Sequence, residues 1–249
     1  MEQLAIPSGN YHIPATLDNV SSRILVLSHG IFVDRKENGR FERLSVQLKS
    51  RGISSLAIDL PGHGKNPIPS MQANVSNMTW SLIDTVNWAA QHYESVGLVA
   101  SSFSGALASL AWPLIRESIN DLLIFLNPVL DFDSTFVNPL CSEMGSLFNT
   151  STFQQARDQG YFQPVQHFTM SRDTLLDFRT ISVSTAYSQI SYPHTIFHGD
   201  ADELVPFSVT KNIAVTNPFC DWRTISGGVH AFTQSGHEEQ VWSEISRLA

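Results

Sequence analysis

Three hydroxyls, Ser101, Ser102 and Ser104, fall within four positions of VGLVASSFSGALASLAW (residues 96–112), where an apolar run gives way to small residues. A serine hydroxyl attacks a carbonyl only when a base takes its proton, and the usual base is a histidine held in one tautomer by a carboxylate. Both partners occur downstream. HTIFHGDADELVP (194–206) runs from an apolar stretch into Asp200, Asp202 and Glu203, and RTISGGVHAF (223–232) places His230 after two glycines. Together these residue types do acyl transfer to water through a serine-bound intermediate.

Spacing chooses among the serines. In LVASSFSG an apolar strand ends at Ala100 or Ser101 and a small-residue helix starts at Phe103, which leaves Ser102 at the corner. A strand-to-helix turn this sharp strains its central residue and lifts the side chain above the sheet, so the residues two before and two after must be small. Around Ser102 these are Ala100 and Ser104. Around Ser101 they would be Val99 and Phe103, and a turn at Ser104 would lie inside the helix. The usual G-x-S-x-G pattern is altered at both outer positions, to Ala and Ser, the next smallest residues, and Gly105 is placed to ease packing of the helix on the sheet. A polar turn that caps a helix would explain the same serines on their own; the downstream partners decide between the two.

The elements that must position these groups are legible as buried strands: RILVLSHG (23–30), SSLAIDLPGHG (54–64), VGLVASS (96–102), DLLIFLNP (121–128) and HTIFHGD (194–200). Between them lie helical spacings, Phe41, Leu44, Val46 and Leu48 in one segment and Trp80, Ile83, Val86, Trp88 and Ala90 in another. Strand then helix, repeated, predicts an α/β fold with a mostly parallel sheet covered on both faces. An N-terminal hairpin is expected around Gly9-Asn10. Residues 129–178 are too long for a simple strand-to-helix connection and are expected to form a helical cap insert on a single domain of residues 1–249. Its Phe132, Phe136, Phe148, Phe153, Tyr161, Phe162 and Phe168 either face a cavity or pack on the body of the domain.

The chain order Ser102, Asp202, His230 is that of the α/β hydrolases. The sequence resembles that family over nearly its full length: LSHGI is similar to its oxyanion segment, DLPGHG to its turn after the next strand, and HGDADELVP to its acid loop. The resemblance implies Ser102 as nucleophile, Asp202 as the acid with Asp200 in reserve, His230 as the base, and the backbone N–H groups of Ile31 and Phe103 as the oxyanion hole. It also implies an α/β-hydrolase fold. GRFERLSVQLKSRGISSLAIDLPGHGKN resembles the small bacterial carboxylesterases that include cinnamoyl and feruloyl esterases, whose insert after the sixth strand forms a lid. The elbow GLVASSFSG is similar to that of the acyl-transferase/thioesterase of bacterial luminescence. A carboxylic ester with an apolar acyl part is therefore the expected substrate. An acyl thioester, a carbon–carbon bond, and a binding protein without chemistry are the alternatives.

Composition narrows the rest. With 15 Lys+Arg against 23 Asp+Glu the formal charge is −8, and no basic run is present, which argues against nucleic acid as a partner. Cys141 and Cys220 are too few for a disulfide framework and lack zinc-ligand spacing, so no metal and no cofactor are expected, and the thiols suit a reducing compartment. No basic-then-apolar leader and no apolar run of membrane-spanning length is seen, and a cytoplasmic protein is the expectation. His29 and His63 are expected to shape loops, His198 to pack, and His12, His92, His167, His194 and His237 to be surface or satisfied interior residues.

Overall fold

Each apolar run becomes a strand. The computed structural model describes residues 1–248. Its strands are β1 Glu2–Ser8, β2 Tyr11–Asp18, β3 Arg23–Ser28, β4 Ser54–Ile58, β5 Ser95–Ser101, β6 Leu123–Leu126, β7 Tyr161–Val165, β8 Phe168–Ser171, β9 His194–Gly199 and β10 Cys220–Ile225. Eight of them form one sheet in the order β1-β2-β4-β3-β5-β6-β9-β10. Strand β2 runs antiparallel to β1 and β4, and the remaining neighbours are parallel. The N-terminal hairpin forms as expected, with Gly9 at φ 54° between β1 and β2.

Helices cover both faces: α1 Arg40–Ser50, α2 Val75–His92, α3 Phe103–Ile115, α4 Ser142–Leu147, α5 Thr150–Gln159, α6 Arg172–Thr180, α7 Val183–Tyr187, α8 Phe207–Ala214 and α9 His237–Leu248. The period-2 alternation of a strand divides the core. Along β3, Ile24 and Val26 join the cluster beneath α2 and α3, whereas Leu25 and Leu27 join Phe41, Leu44, Trp242 and Ile245 beneath α1 and α9. Two helical faces differ from the sequence reading. Val46 is 69% exposed and Trp80 51% exposed, and Ala90 also faces solvent. The buried stripes are Phe41, Leu44 and Leu48 in α1, and Val75, Met78, Leu82, Val86 and Ala89 in α2, because these positions keep the i, i+3, i+7 spacing that one helical face requires.

The stretch between β6 and β9 is not all helix, which corrects the expectation for residues 129–178. After a π-helical turn at Asp133–Val137 come α4 and α5, then the β7–β8 hairpin, α6 and α7. In the hairpin Phe162, Phe168 and Met170 are buried while Tyr161 and Gln163 are exposed, an alternation too short to register in the sequence. Most of the aromatic residues here are core. Phe132, Phe136, Phe148 and Phe178 pack ring to ring with one another and with Phe103 at centroid distances of 4.4–6.2 Å. Phe153 is only partly buried and Tyr161 is 38% exposed. No helix among the described residues is long and apolar enough to cross a membrane.

Candidate active site

The three serines part company at the end of β5. Ser101 Oγ donates to Glu37 Oε1 at 2.6 Å. Ser104 Oγ donates to the His29 carbonyl at 2.5 Å and lies 2.7 Å from Ser28 Oγ. Ser102 alone faces a base, with its Oγ 2.9 Å from His230 Nε2. Its backbone is left-handed (φ 52°, ψ −116°), the strained elbow anticipated from spacing, and its amide and carbonyl are tied to Leu126, Gly105 and Val129. Ala100 and Ser104, the flanking small residues, are fully buried. A Cβ at Gly105 would overlap Pro128, so glycine here lets α3 close onto the chain leaving β6.

Asp202 stands in the loop after β9. His230 Nδ1 lies 3.0 and 2.9 Å from its two carboxylate oxygens, and Oδ1 also accepts from the Leu204 and Val205 amides at 2.9 Å each. With Nδ1–H donating to the carboxylate, Nε2 is left to accept the Ser102 proton. Asp200, the reserve acid, turns away: it is exposed and accepts from the Gly227 amide at 2.6 Å. A Cβ on Gly199 would overlap the Gly228 carbonyl, so this contact between two glycines brings the acid loop and the histidine loop together.

Electrostatics separate the roles. Burial pushes the Asp202 carboxyl up, but the facing charge of His230 and the neighbouring ring of His198 outweigh it and hold Asp202 well below the usual carboxylate range. Burial would lower His230, yet Asp202, by charge and by hydrogen bond, leaves its imidazole more basic than usual; Arg40 opposes this and Glu203 assists. His29 and His63 act as the sequence suggested. Each accepts a backbone amide at Nε2, from Leu60 at 3.1 Å and Phe32 at 3.2 Å, and burial drops them to about 4 and about 3. Both are therefore neutral structural acceptors.

The amides expected to form the oxyanion hole are available. The Phe32 amide is taken by His63, but neither the Ile31 nor the Phe103 N–H has a partner among the described residues. Ile31, with Gly30, Phe136, Met144, Leu147 and Val205, lines a cavity of about 190 Å³ that reaches Ser102 and His230. A larger hollow of about 510 Å³ is lined by Thr16, Arg35, Asp59 and Lys65 and contains none of the site residues, so proximity to the serine and not volume identifies the relevant cavity. No cluster of His, Cys, Asp or Glu suited to a metal is found among the described residues.

Four residues escaped the sequence reading. Asn127, at the end of β6, donates through Nδ2 to the His230 carbonyl and accepts from the Gly199 amide at 2.8 Å, tying the histidine loop to β9. His198, read as packing, does stack on Trp222, but its Nε2 is also 3.1 Å from Asp202 Oδ2. Glu37 and Arg40 are buried and line the cavity that reaches the serine. Among the described residues, the non-glycine positions with left-handed backbones are Phe32, Glu37, Asn38, Ser102, Asn127 and Phe232. All lie in loops at the carboxyl ends of β3, β5, β6 and β10, which is where strain collects when a site over-determines its backbone.

A family model described as serine aminopeptidase, S33, matches residues 20–234. The chain belongs to this family. Its members share the α/β-hydrolase fold, and solved structures agree with that fold. A ferulic acid-bound Est1E from Butyrivibrio proteoclasticus superposes with a TM-score of 0.82 at 20% identity, covering 98% of this chain and 96% of that one. An esterase from Pyrococcus furiosus gives 0.75 at 16% identity, covering 99% and 88%. One from Thermogutta terrifontis, with malate bound, gives 0.70 at 16% identity, covering 99% and 97%. A search of curated protein sequences finds no match.

Proposed function

We propose that this S33-family chain hydrolyses carboxylic esters through an acyl-enzyme on Ser102. The observation that carries the reading is the line Ser102 Oγ, His230 Nε2 and Nδ1, Asp202 Oδ2, with 2.9 Å at each hydrogen bond. His230 takes the Ser102 proton as the oxygen attacks the acyl carbonyl, and Asp202 orients the ring and stabilises its charged form. The tetrahedral oxyanion is received by the Ile31 and Phe103 amides, where loss of one donor costs about 3 kcal/mol in the barrier. His230 then returns the proton to the departing alcohol and draws one from water, which releases the acid.

The acyl group occupies the cavity that Phe136, Met144 and Leu147 share with Ser102 and His230; these three side chains support an apolar acyl part, on a wall that also carries Glu37 and Arg40. Those three residues come from the stretch between β6 and β9, so we read residues 129–178 as a cap over the site within one domain. The same residues could serve the peptides in the family's description, and the structures from Pyrococcus furiosus and Thermogutta terrifontis named as esterases support the ester reading. A fluorophosphonate probe tests the chemistry: it is expected to label Ser102, and a folded protein that stays unlabelled overturns the reading. Rates on nitrophenyl esters of graded chain length, beside aminoacyl anilides and acyl-CoA thioesters, test the substrate class. Esters are expected to be the fastest at equal acyl length.

A further inference from the structure

Beside the nucleophile, along the cavity that reaches it, lies a buried charge pair that the proposed reaction does not use. Glu37 and Arg40 are each 4% exposed. Glu37 Oε1 accepts from Ser101 Oγ at 2.6 Å and lies 3.4 Å from Arg40 Nη1. The Arg40 guanidinium is 5.5 Å from the ring centre of Phe232 and 5.6 Å from that of Trp242. Glu37 Oε2 and Arg40 Nε and Nη2 have no partner among the described residues. Burying two charges with so few bonds destabilises a fold relative to an apolar pair of the same size. The backbone is strained to achieve it, since Glu37, Asn38 and Gly39 are left-handed in succession at φ 50°, 57° and 84°. Packing alone gives no reason for this arrangement.

What the pair joins supplies one. Ser101 immediately precedes the nucleophile, Glu37 belongs to the segment that begins with the Ile31 amide, and Phe232 lies two residues beyond His230. We propose that Glu37 is a positioning residue that locks the nucleophile elbow, the oxyanion segment and the histidine loop into one register through Ser101 and Arg40. The inference rests on the serine-hydrolase reading above. Its charge has a second effect. The charged groups facing His230 are Asp202 and Glu203 from the acid loop, Arg40 from α1 and Glu37 itself, while Arg40 is also faced by Glu238 and Arg43. Burial pushes the Glu37 carboxyl up while Arg40 and the Ser101 hydroxyl pull it back; in its ionised form Glu37 offsets Arg40, whose positive charge otherwise disfavours the protonated imidazole.

The rate of fluorophosphonate labelling at Ser102, followed from pH 5 to 9, and steady-state ester hydrolysis test this on the full chain. Glu37→Gln keeps the shape and can still accept from Ser101, but leaves Arg40 unopposed. It is expected to lower kcat at least ten-fold with KM little changed and to move the acid limb to lower pH. Ser101→Ala keeps both charges and is expected to lower kcat without moving the limb. The double variant Glu37→Leu/Arg40→Met, an apolar replacement expected to fold and to melt no lower than the parent, should label at least ten-fold more slowly. Parental rate and parental midpoint in Glu37→Gln, or parental labelling by the folded double variant, overturn the role of Glu37 while leaving Ser102 chemistry standing. A parent that does not label overturns both.

Discussion

The hydroxyl at 102 differs from those at 101 and 104 in what it faces, and its predicted consequences follow from that difference. Ser102→Ala is expected to lower kcat by about five to six orders of magnitude without changing the far-ultraviolet circular dichroism, the residual rate coming from the oxyanion amides and binding. Asp202→Asn, which stabilises the wrong tautomer of His230, is expected to cost about 10⁴ in kcat. In the proposed reaction His230 acts as a base only when neutral, and Asp202 leaves it more basic than usual. The acid limb of kcat/KM should therefore lie above the ordinary imidazole value of about 6.5. A limb at or below that value would contradict the pairing. Asp202 could be chosen over Asp200 from the sequence because its place after Gly199 matched a pattern. His198 and Asn127 gave no such signal: each closes an apolar strand, and only the fold reveals that one abuts the acid and the other bridges β9 to the His230 carbonyl.

At the scale of elements, strands were the most legible feature, because a run buried on both faces reads as continuous apolar sequence. Helical faces were read less well. Trp80 and Val46 are large and apolar, yet they fall off the stripe that the sheet covers, and the sequence contains nothing that says which side of an evenly mixed helix meets it. The β7–β8 hairpin was missed because it consists of short strands with a proline at 164 and polar residues at 163 and 166. Phe136 connects this region to the site, since it stacks on Phe178 at 4.4 Å and also lines the cavity beside Ser102. Phe136→Ala is expected to cost about 3–5 kcal/mol in urea unfolding, the amount typical of an aromatic deleted from a packed core. It should also shift the preferred acyl chain of nitrophenyl esters to longer lengths. Lost stability with an unchanged chain-length profile would remove Phe136 from the acyl wall.

For the whole molecule, the class of sheet follows from alternating strands and helices, but its order does not, because pairing β3 between β4 and β5 depends on contacts distant in sequence. One global property does follow from particular side chains. His29 and His63, whose rings are 5.0 Å apart, are held neutral by burial at about 4 and about 3, and each is locked by accepting a backbone amide. In the unfolded chain both protonate near 6.5. Protons thus bind the unfolded state first, so the stability these residues contribute is complete above about pH 6.5 and is lost as pH falls towards 4 and then 3. Asp202, held low, acts in the same sense, losing its contribution below the ordinary carboxylate range. His230 has the opposite sign: being raised, it contributes below about 6.5 and loses that contribution as pH rises through its folded value. The two buried neutral histidines set the expected trend, and urea midpoints are expected to fall from pH 7 to pH 4.5 at constant m-value. Equal midpoints at the two ends would mean that one or both rings carry a proton in the folded protein, which their acceptance of the Leu60 and Phe32 amides does not permit.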